Sequence, residues 1–269
     1  MNRLDRLTET LDRMHPSGLL YSTYESRLVS ELDQANLPRH VAVLADGNRR
    51  WARMNAPDQP LVAGYQAGAD KLKDFVGWCD DAGIEVVTLW VLSPDNLKRS
   101  TDEEVAPLLG VIEQLVTDLA EDGRWPVQAV GDMSLLPPTM VTALERARDR
   151  SANNPGMLVN VAIAYGGRHE LRDAVRSLLK EEAVKGRTLE EVAQSLEIDQ
   201  IGGHLYTKGQ PDPDLIIRTS GEQRLSGFLM WQSAHSEFYF CEALWPDFRK
   251  VDFLRALRSF SQRERRFGR

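Results

Sequence analysis

The stretch His40-Val41-Ala42-Val43-Leu44-Ala45-Asp46-Gly47-Asn48-Arg49-Arg50-Trp51-Ala52-Arg53 decides how this chain is read. The run from His40 to Ala45 is short and apolar, and Asp46-Gly47-Asn48 ends it. A run of that length bounded by turn residues reads as a buried strand followed by a polar loop.

Working outward, the same pattern recurs. Ile84 to Leu92 is a β-branched run and a second buried strand. Val127 to Val130, Leu158 to Ala164, Leu215 to Ile217 and Glu237 to Cys241 read as four more. Between them lie helical patterns. Leu72, Phe75, Val76 and Cys79 repeat at helical spacing up to a stop at Gly83. Ser93-Pro94-Asp95-Asn96 reads as a turn. Ser100 with Glu103, and Thr101 with Glu104, fit capping boxes for a helix whose one face carries Val105, Leu108, Leu109, Ile112, Leu115, Val116 and Leu119. Thr139 to Arg148, Glu170 to Lys180, Leu189 to Leu196 and Val251 to Phe260 complete the set. Alternating strands and helices mean βαβ units. The expected fold is therefore α/β, one domain with a mostly parallel six-stranded sheet flanked by helices. The first 36 residues read as a helical extension, broken at Pro16-Ser17-Gly18, ahead of a domain spanning 37–269.

Bulk properties exclude several classes. A net charge of −7 argues against a general nucleic-acid binder. The two cysteines, Cys79 and Cys241, form no CxxC and imply no zinc site, which fits a reduced, cytoplasmic protein. The N-terminus has no uninterrupted apolar stretch, and Val86 to Leu92 is too short to span a bilayer. A P-loop, a GxGxxG after the first strand and a GxSxG elbow are all absent.

In open parallel sheets, ligands bind beyond the carboxyl ends of the strands. The segments found there are Asp46 to Arg53, Ser93 to Arg99, Tyr165-Gly166-Gly167-Arg168 and Arg218 to Ser226. Each sets arginine near glycine or a hydroxyl. Glycine lets backbone N–H groups approach an anion, and arginine grips phosphate oxygens in a fork. Asp46 offers a hard oxygen to Mg²⁺, which typically bridges a carboxylate to phosphates. Taken singly, Asp46-Gly47-Asn48 is an ordinary Asx turn, Arg218 a strand-end arginine, and the apolar helix stripe plain core. Their joint placement after successive strands is what points to a ligand carrying two diphosphates' worth of charge.

These residues resemble the cis-prenyltransferases, the undecaprenyl diphosphate synthase family. The likeness rests on the opening stretch above, on NVAIAYGG (160–167), DLIIRTSG (214–221), Arg224-Leu225-Ser226-Gly227-Phe228, Trp245-Pro246-Asp247-Phe248 and Arg263-Glu264-Arg265-Arg266-Phe267-Gly268. The resemblance implies a homodimer that joins isopentenyl diphosphate to an allylic prenyl diphosphate with Mg²⁺. It implies a hydrophobic tunnel between the sheet and helices near 70–82 and 101–120. Asp46 and Asn96 would be catalytic, with Asp46 and Glu237 serving the metal. Gly47, Asn48, Arg49, Arg50, Trp51, Ser93 and Arg99 would hold the allylic diphosphate. Arg218, Arg224 and Ser226 would hold isopentenyl diphosphate, and Arg266 to Gly268 would reach the partner's site. A lipid product would bring the protein to a membrane surface.

Two departures from the long-chain pattern stand out. Leu61 and Tyr65 replace an expected Arg and His, and Leu97 replaces an aromatic. Both resemble the short-chain branch that makes Z,E-farnesyl diphosphate. The alternatives are a long-chain decaprenyl or undecaprenyl synthase and a non-catalytic partner subunit. Retention of Asp46, Arg218, Arg224 and Glu237 speaks against the latter.

Overall fold

β1 (His40–Leu44) is buried along its whole length, and its side chains divide by parity between two cores. Val41 and Val43 enter a large cluster on one face of the sheet. Ala42 and Leu44 enter a smaller one on the other, with Tyr165, Phe228 and Leu229. The computed structural model describes residues 16–99 and 102–263. Its sheet adds β2 (Val86–Trp90), β3 (Val127–Val130), β4 (Leu158–Ala162), β5 (Leu215–Arg218) and β6 (Glu237–Phe240). The order is β3-β4-β2-β1-β5-β6, and every neighbouring pair is parallel.

The helices are α1 (Pro16–Ser30), α2 (Asn48–Asn55), α3 (Val62–Asp81), α4 (Pro94–Arg99), α5 (Asp102–Glu121), α6 (Pro138–Ser151), α7 (Gly167–Val184), α8 (Leu189–Ser195), α9 (Ile198–Gly202) and α10 (Lys250–Ser261). Apolar residues of α3, α5, α6 and α10 share the large cluster. α1 is drawn into the same packing. Leu28 and Val29 at its end are buried there, Arg255 of α10 bonds the Tyr24 hydroxyl at 3.3 Å, and Arg258 pairs with Glu31 at 2.8 Å.

Two segments read as loops are helical. Asn48–Asn55 forms α2 because Gly47, at φ 116°, turns the chain sharply enough to start it. Its composition carries no clean apolar stripe, so periodicity could not reveal it. Pro94–Arg99 forms α4 with Pro94 at its first position, where a missing N–H does no harm. The capping boxes at Ser100 and Thr101 lie outside the described residues, as does the side chain of Arg99.

The connections decide where the ligand crevice lies. From β1 the chain passes to β2 on one side, and from β5 to β6 on the other. β1 and β5 are neighbours, so their carboxyl ends form a topological switch point, where loops part and leave a cleft.

Candidate functional site

Leu44 and Arg218 end β1 and β5 in register, so Asp46 and Arg218 meet over the switch point. Arg218 Nη2 donates to Asp46 Oδ2 at 3.1 Å, and Arg50 Nη2 approaches Oδ1 at 4.0 Å. Asp46 is held by its backbone as well. Its N–H donates to Thr219 Oγ1 at 3.0 Å, and its carbonyl accepts from that hydroxyl at 2.8 Å and from the Trp245 N–H at 3.0 Å. The carboxylate is thus fixed at its root yet 42% exposed, open to a ligand.

Arg218 organises the second loop. Its Nη1 donates to Ser226 Oγ at 2.8 Å and to the Arg224 carbonyl. The guanidinium is only 6% exposed, and its Nε has no hydrogen-bond partner. Ser220 and Ser226 adopt left-handed backbone, at φ 74° and 51°, beside Gly221 and Gly227. Strain of that kind gathers where a loop must present N–H groups to a ligand. Arg224 stands 70% exposed, paired with Glu222 at 3.2 Å.

Two cavities meet here. One, of about 410 Å³, is lined at its mouth by Asp46, Gly47, Asn48, Arg49, Arg50 and Arg53, and deeper by side chains of α3 and α5 such as Leu72, Leu108, Ile112 and Leu115. It is the expected tunnel, except that α3 contributes residues 65–72, its first half, rather than 70–82. The other, of about 910 Å³, is lined by Arg218, Arg224, Ser226, Gly166, Gly167 and Arg168, with Trp90 among its walls. Trp90 is stacked on Phe228 at 5.1 Å. Asp46, Ala45, Val91 and Asn96 line both. Ser93 Oγ donates to Asn96 Oδ1 at 2.9 Å, which fixes the amide at this junction.

α2 is aimed by α3. A Cβ on Gly64 would lie 2.3 Å from the Asn48 carbonyl, and one on Gly68 2.4 Å from Asn48 Oδ1. These glycines, four apart, lie on one helix face, and the backbones can close only because both lack side chains. Trp245 Nε1 donates to the Gly68 carbonyl at 2.9 Å and completes the brace. Gly64, Gly68, Thr219 and Trp245 are positioning residues that sequence reasoning did not single out. The GxxxG spacing of Gly64 and Gly68 was the available signal.

Two expected contacts are not brought into the cluster. The Trp51 N–H donates to Asp247 Oδ1 at 2.8 Å, which ties α2 to the 245–247 turn, and Trp51 does not line either cavity. Glu237 opens β6 in register with Leu215, at the amino end of the sheet, and its carboxylate pairs with Arg263. Within one chain it faces away from Asp46. Arg266 to Gly268 lie outside the described residues.

Asp46 fits a metal that arrives with its substrate. Among the described residues no group of three or more His, Cys, Asp or Glu forms a metal cage. One exposed carboxylate beside an arginine-rich cradle suits Mg²⁺, which takes one or two carboxylates and completes its shell with phosphate and water.

Comparison with known proteins agrees with this geometry. The undecaprenyl diphosphate synthase family matches residues 44–268. The chain is 59% identical to a (2Z,6E)-farnesyl diphosphate synthase of Thermobifida fusca, over 93% of this chain and 97% of that one. It is 54% identical to isoprenyl transferase 1 of Streptomyces avermitilis, over 93% and 96%. Lavandulyl diphosphate synthase from Lavandula x intermedia, solved with dimethylallyl diphosphate, superposes with a TM-score of 0.79 at 34% identity, covering 88% of this chain and all of that one. A match across most of the chain, a shared fold and a paired-cavity site leave one conclusion: the chain belongs to the undecaprenyl diphosphate synthase family and is a cis-prenyltransferase.

Proposed function

We propose that the protein condenses isopentenyl diphosphate with geranyl diphosphate to give Z,E-farnesyl diphosphate, with Mg²⁺ at Asp46. The observation that carries this reading is the junction of the two cavities at Asp46 and Asn96. The allylic tail lies in the apolar cavity with its diphosphate over Gly47, Asn48, Arg49 and Arg50. Isopentenyl diphosphate lies in the second cavity on Arg218, Arg224 and Ser226, so the reacting carbons meet at the shared wall.

Mg²⁺ supplies neutralising charge on the departing diphosphate. Asp46 holds it in place, and Arg50 and Arg49 stabilise the same developing charge. As the allylic C–O bond breaks, the terminal alkene carbon of isopentenyl diphosphate bonds to the freed carbon. A proton leaves the adjacent methylene, and the new double bond has Z geometry. Asn96, held by Ser93, orients the chains at this point. Trp51 and Glu237 stand outside the ligand set within one chain.

A cavity of about 410 Å³ supports a short product, since pockets of about 300–1,000 Å³ serve small ligands. It is stopped by large side chains of α3 and α5. The Thermobifida fusca relative's name agrees. A homodimer is supported by the edge strand β6, where Phe240 is 40% exposed and stacked on Phe238 at 6.3 Å. Among the described residues no helix is long and apolar enough to cross a membrane.

The test is direct. Purified protein is given isopentenyl and geranyl diphosphates with Mg²⁺, and products are sized by chromatography. A single C15 product is expected. Chains of C50 or longer overturn the short-chain reading, and no turnover by the isolated protein overturns the enzyme reading.

A further inference from the structure

Three arginines project from α2, and the structure divides them. Arg50 turns toward Asp46 and the Ser220 carbonyl, at 4.0 and 3.4 Å. Arg49 and Arg53, four residues apart and so on one helix face, line the mouth of the apolar cavity instead, together with Tyr65. Arg49 meets Glu104 of α5 at 3.4 Å across this mouth. Arg53 has no carboxylate partner among the described residues. Two guanidiniums therefore face one carboxylate, a local excess of positive charge in a chain whose net charge is −7.

Tyr65 sits beneath them, 9% exposed. Burial pushes its hydroxyl up, Arg49 and Arg53 pull it down, and Glu104 pushes it up again, so all three charges act on one phenol. The Arg49–Glu104 pair is about half exposed on one side and a quarter on the other. Such pairs are weak and readily exchanged, whereas a phosphate carries more charge and accepts two forked contacts at once.

We propose that Arg53 and Tyr65, with Arg49, form a further anion subsite at the cavity mouth that takes the distal phosphate of the allylic diphosphate, and that Glu104 is the internal counter-ion this phosphate displaces. The proposal rests on the diphosphate reading of the site above. It makes Glu104 an acid that opposes substrate binding, so its removal improves affinity, a result that loss of a structural contact does not give.

The probe is geranyl S-thiolodiphosphate, an unreactive analogue, titrated calorimetrically with Mg²⁺, beside steady-state kinetics. Arg53→Ala is expected to weaken the analogue about tenfold and to raise KM for geranyl diphosphate to match, with KM for isopentenyl diphosphate unchanged. Arg53→Lys restores part of the loss. Tyr65→Phe weakens binding about threefold. Glu104→Gln strengthens it about two- to fivefold, and that gain disappears in an Arg49→Ala background. Melting curves confirm that each variant is folded. The proposal is overturned if Arg53→Ala binds within twofold of the wild type, if Glu104→Gln weakens binding, or if its gain persists without Arg49. It also fails if the wild type does not bind the analogue. A wild type that binds the analogue but forms no product overturns the functional reading alone.

Discussion

Asp46 and Arg218 lie 172 residues apart in the chain, and their side chains meet at 3.1 Å where β1 and β5 end side by side. The pair joins the two cavities. One residue belongs to the allylic side and the metal, the other to the loop that carries Arg224 and Ser226. Much of the chemistry expected of this protein depends on that contact.

Asp46→Asn should lower turnover by about two or more powers of ten, as loss of a main electrostatic stabiliser does. The substitution keeps the side chain's size, so the melting temperature should move little. Near-normal activity in the folded variant would remove Asp46 from the metal role.

Arg218 and Arg224 should separate binding from stability. Arg224 is 70% exposed, and Arg224→Ala should raise KM for isopentenyl diphosphate by a factor that reflects about 1.5–3 kcal/mol, without changing the melting temperature. Arg218 is buried and bonds Asp46, Ser226 and the Arg224 carbonyl. Arg218→Ala should show the same KM effect and a clear loss of stability. Equal melting curves for both variants would contradict the organising role of Arg218.

Gly68→Ala places a methyl 2.4 Å from Asn48 Oδ1. The helices α2 and α3 must then part, at about 1–3 kcal/mol, as overpacking generally costs. KM for the allylic substrate should rise, with that for isopentenyl diphosphate little changed. A crystal structure of the variant with α2 unmoved would refute the bracing argument.

Val91 lines both cavities, beside the reacting centre. Val91→Ala combined with Ile112→Ala should open the apolar cavity and shift products beyond C15, read by chromatography. Product length unchanged in the double variant would place the stop elsewhere on α3 or α5.

His40 should impose a pH dependence on stability. Its ring is buried, donates from Nδ1 to the Pro211 carbonyl at 2.8 Å, and accepts at Nε2 from Thr88 Oγ1 at 2.8 Å. Burial pushes its pKa down from 6.5 to about 4. The folded state therefore prefers the neutral ring, and its contribution is complete above pH 6.5. As pH falls from 6.5 toward 4 the unfolded chain takes up a proton that the folded one refuses, and stability drops by about 1.4 kcal/mol per pH unit. Denaturant unfolding at pH 7 and pH 5 should show this slope in the wild type and a shallower one in His40→Gln. Parallel slopes would mean His40 is not the group responsible.

The sequence alone determined the six strands and the loops that follow them, because a buried run closed by turn residues is a local signal. It also marked Asp46, Arg218, Arg224 and Ser226, whose residue types suit phosphate and Mg²⁺ wherever they stand. Only the tertiary structure decided which of these meet. α2 has no apolar stripe to announce it and exists because Gly47 turns the chain and Gly64 and Gly68 leave room for it. Trp51 looked like a ligand residue until Asp247 took its N–H. Glu237 lies on a strand next to β5, yet register sets it against Leu215 rather than Arg218, at the far end of the sheet from Asp46. Strand order and register follow from which apolar faces can be buried together, a property of contacts distant in sequence, and no local pattern encodes it.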